Sequence, residues 1–175
     1  MKLLISDVDG ILTNGNVSFS SSGDIIKTFN VKDGMALQRL TENGWTVVFV
    51  SKSTDGATRN RLAHLRTALG VSYYLGVENK RFTVTSILDS IRRRDRLSSL
   101  PKFVGIGDDT NDLEFLEMAS LVFCPSDAHL NVMRIVQKNK TGKILSKPGG
   151  SCFVEMANHL LSLPELFIKK HLGDD

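Results

Sequence analysis

Apolar residues fall along the chain in two alternating textures. Near-continuous runs occur at Leu3-Leu4-Ile5, Trp45-Thr46-Val47-Val48-Phe49-Val50, Val71 to Leu75, Phe103-Val104-Gly105-Ile106 and Leu121-Val122-Phe123-Cys124. All read as strands, and the run Trp45 to Val50 marks one covered on both faces. Between them the spacing is helical. Met35, Leu37 and Leu40 are expected to face inward from a helix that Asp33 caps and Gly44 ends. Leu62, Leu65 and Leu69 stripe a second helix over about 55–69, and Val84, Ile87, Leu88 and Ile91 a third over about 81–94. Leu113, Phe115 and Leu116 mark a fourth, and two further segments, about 128–136 and 152–161, also read as helical. Strand–helix alternation at this spacing predicts an α/β fold, a doubly wound parallel sheet. One stretch breaks the alternation. Between Asn16 and Phe29 two short β-like runs flank a Ser/Gly/Asp turn, which predicts a hairpin flap over about 16–30 and no large cap. The hairpin could overhang a site or offer an edge for subunit pairing. No repeat, linker or boundary divides the chain, so a single domain over 1–175 is expected.

Polar residues collect where the strands end. Asp7 and Asp9 follow the first run and lead into Gly10; Ser51 follows the second. Lys80 closes the loop Gly76-Val77-Glu78-Asn79-Lys80 after the third, and Asp108, Asp109 and Asp112 follow the fourth. Open parallel sheets place their ligand crevice at such strand ends. Two carboxylates as close as Asp7 and Asp9 repel each other, and a hard cation such as Mg²⁺ would relieve that repulsion. The collection suits phosphoryl transfer: Asp7 as nucleophile and metal ligand, Asp9 as general acid and base, and a lysine and a hydroxyl for phosphate oxygens. Gly105-Ile106-Gly107 lacks the third glycine of a dinucleotide fingerprint, and no Walker loop occurs.

Composition narrows the partners. In 175 residues, 41% of them hydrophobic, 22 basic and 19 acidic side chains leave a net charge of only +3. The run Arg92-Arg93-Arg94-Asp95-Arg96 reads as the solvated end of a helix rather than a nucleic-acid stripe. No apolar stretch nears the roughly 20 residues a membrane span requires. The first apolar run breaks at Asp7, unlike a signal peptide. Cys124 and Cys152 lie in apolar segments and read as reduced core thiols. A cytoplasmic protein is expected, with a small-molecule partner, no nucleic acid and no membrane.

Taken in order, these elements resemble the haloacid dehalogenase (HAD) superfamily. Asp7-Val8-Asp9-Gly10-Ile11-Leu12-Thr13 matches its nucleophile loop Asp-x-Asp-Gly-x-x-Thr residue for residue. Ser51 matches the phosphate-binding Ser/Thr, Lys80 the conserved lysine, and Asp108-Asp109-x-Asn111-Asp112 the acidic fourth motif. Leu12-Thr13-Asn14-Gly15, the hairpin, Val31-Lys32-Asp33-Gly34, the Gly76–Lys80 loop and Pro148-Gly149-Gly150 look like a small capless branch. That branch holds 3-deoxy-D-manno-octulosonate 8-phosphate phosphatases, nonulosonate 9-phosphate phosphatases and the C-terminal domain of CMP-sialic acid synthetases. The resemblance, which covers roughly residues 2–162, implies Mg²⁺ held by Asp7, the Asp9 backbone carbonyl and Asp108. It implies hydrolysis of a phosphorylated sugar acid through an aspartyl phosphate on Asp7, with Ser51, Lys52, Thr13 and Asp33 on the substrate side. It also implies a homotetramer with hairpins paired at its centre.

The chain departs from the branch at Lys52-Ser53, where Gly-Arg is usual, and at Ser151-Cys152-Phe153, where Arg-Gly-Ala follows the glycines. Both departures bear on which substrate fits. A phosphatase of another substrate class and a non-catalytic assembly domain are the alternatives. Plainer roles compete at single positions: Asp33 as a helix cap, Thr13 as a partner of loop backbone, and Asp112 as an acid favoured at a helix start.

Overall fold

The computed structural model describes residues 1–173. Six strands form one parallel sheet: β1 (Lys2–Ser6), β4 (Trp45–Val50), β5 (Ser72–Tyr74), β6 (Val104–Ile106), β7 (Leu121–Cys124) and β8 (Lys143–Ile144). Their spatial order is β5-β4-β1-β6-β7-β8. The chain thus winds outward from β1 through β4 to β5, then returns to the other side of β1 as β6. The topological switch point lies between β1 and β6, the place where a doubly wound sheet opens its crevice. A second small sheet, the hairpin β2 (Ser18–Phe19) and β3 (Ile25–Ile26), pairs antiparallel. No large cap occurs among the described residues.

Alternation along each strand feeds two cores. Leu4 of β1, Val47 and Phe49 of β4, and Leu121 and Phe123 of β7 lie in one core. That face is covered by α1 (Val31–Glu42), α2 (Gly56–Leu69), α6 (Cys152–Ser162) and α7 (Glu165–Leu172). Leu3 and Ile5, Val48 and Val50, and Val122 and Cys124 face the other core, under α3 (Lys80–Asp95), α4 (Leu113–Leu116) and α5 (Leu130–Lys138). Successive side chains of a strand point to opposite faces, so these runs read as continuously apolar because both faces are buried. Cys124 and Cys152 are buried free thiols, and burial pushes both up to about 12.

Several local expectations are corrected. The side chain that caps α1 is Asn30, which accepts from the Lys32 N–H; Asp33 lies inside the first turn. The buried stripe of α1 is Asp33, Ala36, Leu37 and Leu40, leaving Met35 70% exposed. Met35 stands two residues before Leu37, roughly 200° round a helix of 3.6 residues per turn, so the face set by Leu37 and Leu40 turns it outward. Lys80 is the first residue of α3, capped by Asn79, rather than the end of a loop. Strand β8 and helix α7 were not foreseen. At two residues β8 is too short to show a pattern, while α7 buries only Ile168 and Leu172.

Candidate active site

Parallel pairing brings the ends of β1 and β6 side by side, and the Asp7 N–H donates to the Ile106 carbonyl at 3.0 Å. The loops leaving these strands therefore start from one fixed point. Asp7, Asp108 and Asp112 each direct a carboxylate oxygen there, the three lying within 4.8 Å of one another. Lys80, entering from the start of α3, sets its Nζ 2.7 Å from Asp7 Oδ1 and 2.5 Å from Asp112 Oδ1. Asp7, Lys80 and Asp112 are all buried. The second oxygen of Asp112 accepts from the N–H groups of Asp108 (3.0 Å) and Asp109 (3.2 Å), closing a capping box across the 3-10 turn Thr110–Asp112. Two glycines make room. A Cβ on Gly10 (φ +78°) would stand 1.9 Å from Asp108 Oδ2, and one on Gly107 would stand 2.5 Å from Asp112 Oδ2.

The electrostatics of this cluster are unbalanced. Among the described residues, three carboxylates face a single ammonium. Burial pushes the Asp7 carboxyl well above the usual range, and Asp112 adds to this while Lys80 opposes it. Burial, then Asp112 and Asp109, push Asp108 up to about 7. Burial disfavours the Lys80 charge, yet Asp7 and Asp112 outweigh it and raise its pKa. Asp108 Oδ1 is buried without a hydrogen-bond partner. A buried carboxylate oxygen with no donor beside two other carboxylates is a costly arrangement in the bare protein. A small hard divalent cation fits it, since such ions take carboxylate oxygens and cancel their repulsion.

The other sequence-nominated residues surround this cluster without joining it. The Asp9 carboxylate is one-third exposed and turned towards Lys27 on the hairpin's return, 2.8 Å away. Thr13 is buried in the nucleophile loop, where its Oγ1 accepts from the N–H groups of Gly10 and Gly15 and donates to Asp9 Oδ1. Ser51 is buried at the end of β4, its Oγ accepting from the Ser53 N–H. Lys52 is exposed and pairs with Glu78 at 3.3 Å on the rim. Two residues were undervalued in the sequence. Asp112 fixes Lys80 and the backbone of the fourth loop, although its spacing also suited a plain helix start. Lys27 left one signal, a single cation between Ile25-Ile26 and Phe29.

Asp33 behaves unlike the rest. It is 1% exposed and neither carboxylate oxygen has a hydrogen-bond partner; burial pushes it up to about 7, with Arg61 pulling the other way. A carboxyl whose folded pKa is raised holds its proton longer when folded than unfolded. Stability is therefore lost as pH climbs from about 4 to 7, then levels off. An Asp33→Asn variant is expected to gain about 1–3 kcal/mol at pH 8 over wild type, and less at pH 5, in urea unfolding. Equal gains at both pH values would contradict this.

No family profile matches the chain. Individual relatives do. The 3-deoxy-D-manno-octulosonate 8-phosphate phosphatase KdsC of Haemophilus influenzae is 30% identical over 162 residues, 92% of this chain and 83% of that protein. The chain belongs to the HAD superfamily. Its place there is among the KdsC-like phosphatases. The KdsC of Escherichia coli K12 is 29% identical over 131 residues, which span 64% of that relative's length. Among solved structures, the cobalt-bound H. influenzae phosphatase superposes with a TM-score of 0.73 at 29% identity, over 92% of this chain and 87% of that one. The Moraxella catarrhalis phosphatase, solved with magnesium, phosphate and KDO, shares the fold at TM-score 0.76 and 23% identity, over 97% and 92% of the two chains. Among the described residues, no helix is long and apolar enough to cross a membrane.

Proposed function

We propose that this single-domain chain is a Mg²⁺-dependent phosphomonoesterase acting on a phosphorylated sugar acid of the octulosonate 8-phosphate or nonulosonate 9-phosphate type. The observation that carries the reading is Lys80 held between Asp7 and Asp112, beside the unpartnered oxygen of Asp108. An Asp7 oxygen attacks phosphorus in line, and the bond from phosphorus to the sugar oxygen breaks. Asp9 gives its proton to that departing oxygen. Asp9 then takes a proton from water as the water oxygen attacks phosphorus, which frees inorganic phosphate and restores Asp7. Lys80 and Ser51 bind the phosphoryl oxygens, while Asp112 anchors Lys80. Asp7, the Asp9 backbone carbonyl and Asp108 would hold Mg²⁺, which neutralises phosphoryl charge when bound. Lys52, Thr13 and Asp33 are assigned to the substrate side.

The KdsC relatives support the substrate class, and the departures at Lys52-Ser53 and Ser151 are where the sugar would be discriminated, Cys152 being buried in the core. The exposed apolar residues of the hairpin, Phe19 (69% exposed), Ile26 and Val17, support pairing of hairpins in a homotetramer. The fold and this reading suit a cytoplasmic enzyme.

Purified chain incubated with Mg²⁺ and a panel of phosphosugars, nucleotides and a phosphoprotein tests the reading. Phosphate release is expected to be largest with the sugar acids and to stop on chelation. No release above an Asp7→Asn control would end it. An Asp9→Asn variant is expected to lose about 10²–10⁴-fold in kcat on sugar esters, as removal of a general acid and base should.

A further inference from the structure

The side chain of Lys27 is only 4% exposed, although the residue stands on the return of an otherwise exposed hairpin. Its ammonium lies 2.8 Å from Asp9 Oδ1 and 2.9 Å from Asp9 Oδ2. The same nitrogen lies 2.6 Å from Asp55 Oδ2, 3.0 Å from Thr58 Oγ1 and 3.3 Å from Ser53 Oγ. Five acceptor atoms thus crowd a group with three protons. Asp55 is the N-cap of α2, taking the Thr58 N–H on its other oxygen at 2.8 Å, and Ser53 bonds to the same carboxylate. Ser53 is tied in turn to Ser51 by its backbone N–H. The lysine thereby joins three separate pieces of chain: the nucleophile loop through Asp9, the loop after β4 that carries Ser51, and the hairpin. Among the described residues 16–28, Lys27 alone makes a side-chain hydrogen bond to the rest of the chain.

We propose that Lys27 is a positioning residue: it couples the seating of the hairpin to the orientation of the Asp9 carboxylate and to the Ser51 loop. The inference rests on the phosphatase reading and extends it, because it makes the hairpin part of the acid–base machinery. Asp9 is tied through one side-chain contact to Thr13 at 3.3 Å and otherwise through Lys27. Freed from the ammonium, a two-torsion side chain that is one-third exposed samples several rotamers, and few of them face the departing oxygen.

Leaving-group dependence separates this role from mere scaffolding. In kcat/KM, which reads the first bond-breaking step, a sugar ester needs the Asp9 proton on its oxygen. A p-nitrophenyl ester does not, since nitrophenolate departs unprotonated. Lys27→Met is expected to lower kcat/KM about 10²-fold on octulosonate 8-phosphate and under about 10-fold on p-nitrophenyl phosphate. Added to Asp9→Asn, it is expected to cost at most about twofold more on the sugar ester, because both changes act through one group. If Lys27→Met does not fold, Lys27→Arg carries the same comparison; it keeps the charge but cannot place one compact ammonium among five acceptors. Equal losses on the two esters, or losses that multiply in the double variant, would overturn the proposal while leaving the phosphatase reading intact. A wild-type chain inert towards both esters would overturn that reading and this one with it.

Discussion

An Asp7→Asn variant is expected to release no measurable phosphate, a loss of at least about 10⁴-fold, and yet to be the more stable protein in the absence of metal. The amide is a poor nucleophile and cannot carry the phosphoryl group between the two half-reactions. Its effect on folding has the opposite sign. Burial and Asp112 hold the Asp7 carboxyl well above its usual range, so the native state suffers from that charge at neutral pH. Removing it leaves Lys80 paired with Asp112 alone. A gain of about 1–3 kcal/mol in urea unfolding with chelator present is expected. Added Mg²⁺ should then stabilise wild type and leave the variant nearly unmoved. A variant that is both inactive and markedly less stable would mean that Asp7 mainly holds the fold together.

Replacing Lys80 by methionine reverses that balance. Among the described residues, the ammonium is the single cation in contact with Asp7 and Asp112, both buried. Without it two carboxylates face each other in a dry site, with Asp108 beside them. Breaking a buried pair from one side costs about 3–5 kcal/mol, so Lys80→Met is expected to lose that much in chelator and to recover part of it in Mg²⁺. Turnover is expected to fall as well, since the phosphoryl oxygens lose their charge partner. Urea unfolding with and without the metal checks the first expectation. A loss below about 1 kcal/mol would show that water, rather than Lys80, compensates the acids.

The fold was legible because its central strands are buried on both faces. Trp45–Val50 reads as a strand from sequence alone and is one in the structure, with alternate residues in the two cores. Order along the chain then fixed which loops meet, since a parallel sheet brings every strand end to one edge. What escaped detection depends on partners that no local pattern encodes. Asp112 and Asp108 have similar neighbours in sequence, but only Asp112 gives one oxygen to Lys80 and the other to two N–H groups. Lys27 is separated from Asp9 by 18 positions and from Asp55 by 28, and the hairpin's bend brings it to both. Asp33 illustrates the reverse error. Asp in a helix's first turn suggested a cap, yet helical phase carries it into the interior, where Asn30 has already taken the capping role.

Calorimetric titration of Mg²⁺ into the metal-free chain, with wild type beside Asp108→Asn, tests most directly whether the acids at the switch point form a cation site. Saturable binding of one ion per chain by wild type, lost or weakened at least about tenfold in the variant, is the expected result. Binding that is absent from wild type, or that survives the loss of Asp108 unchanged, would contradict it.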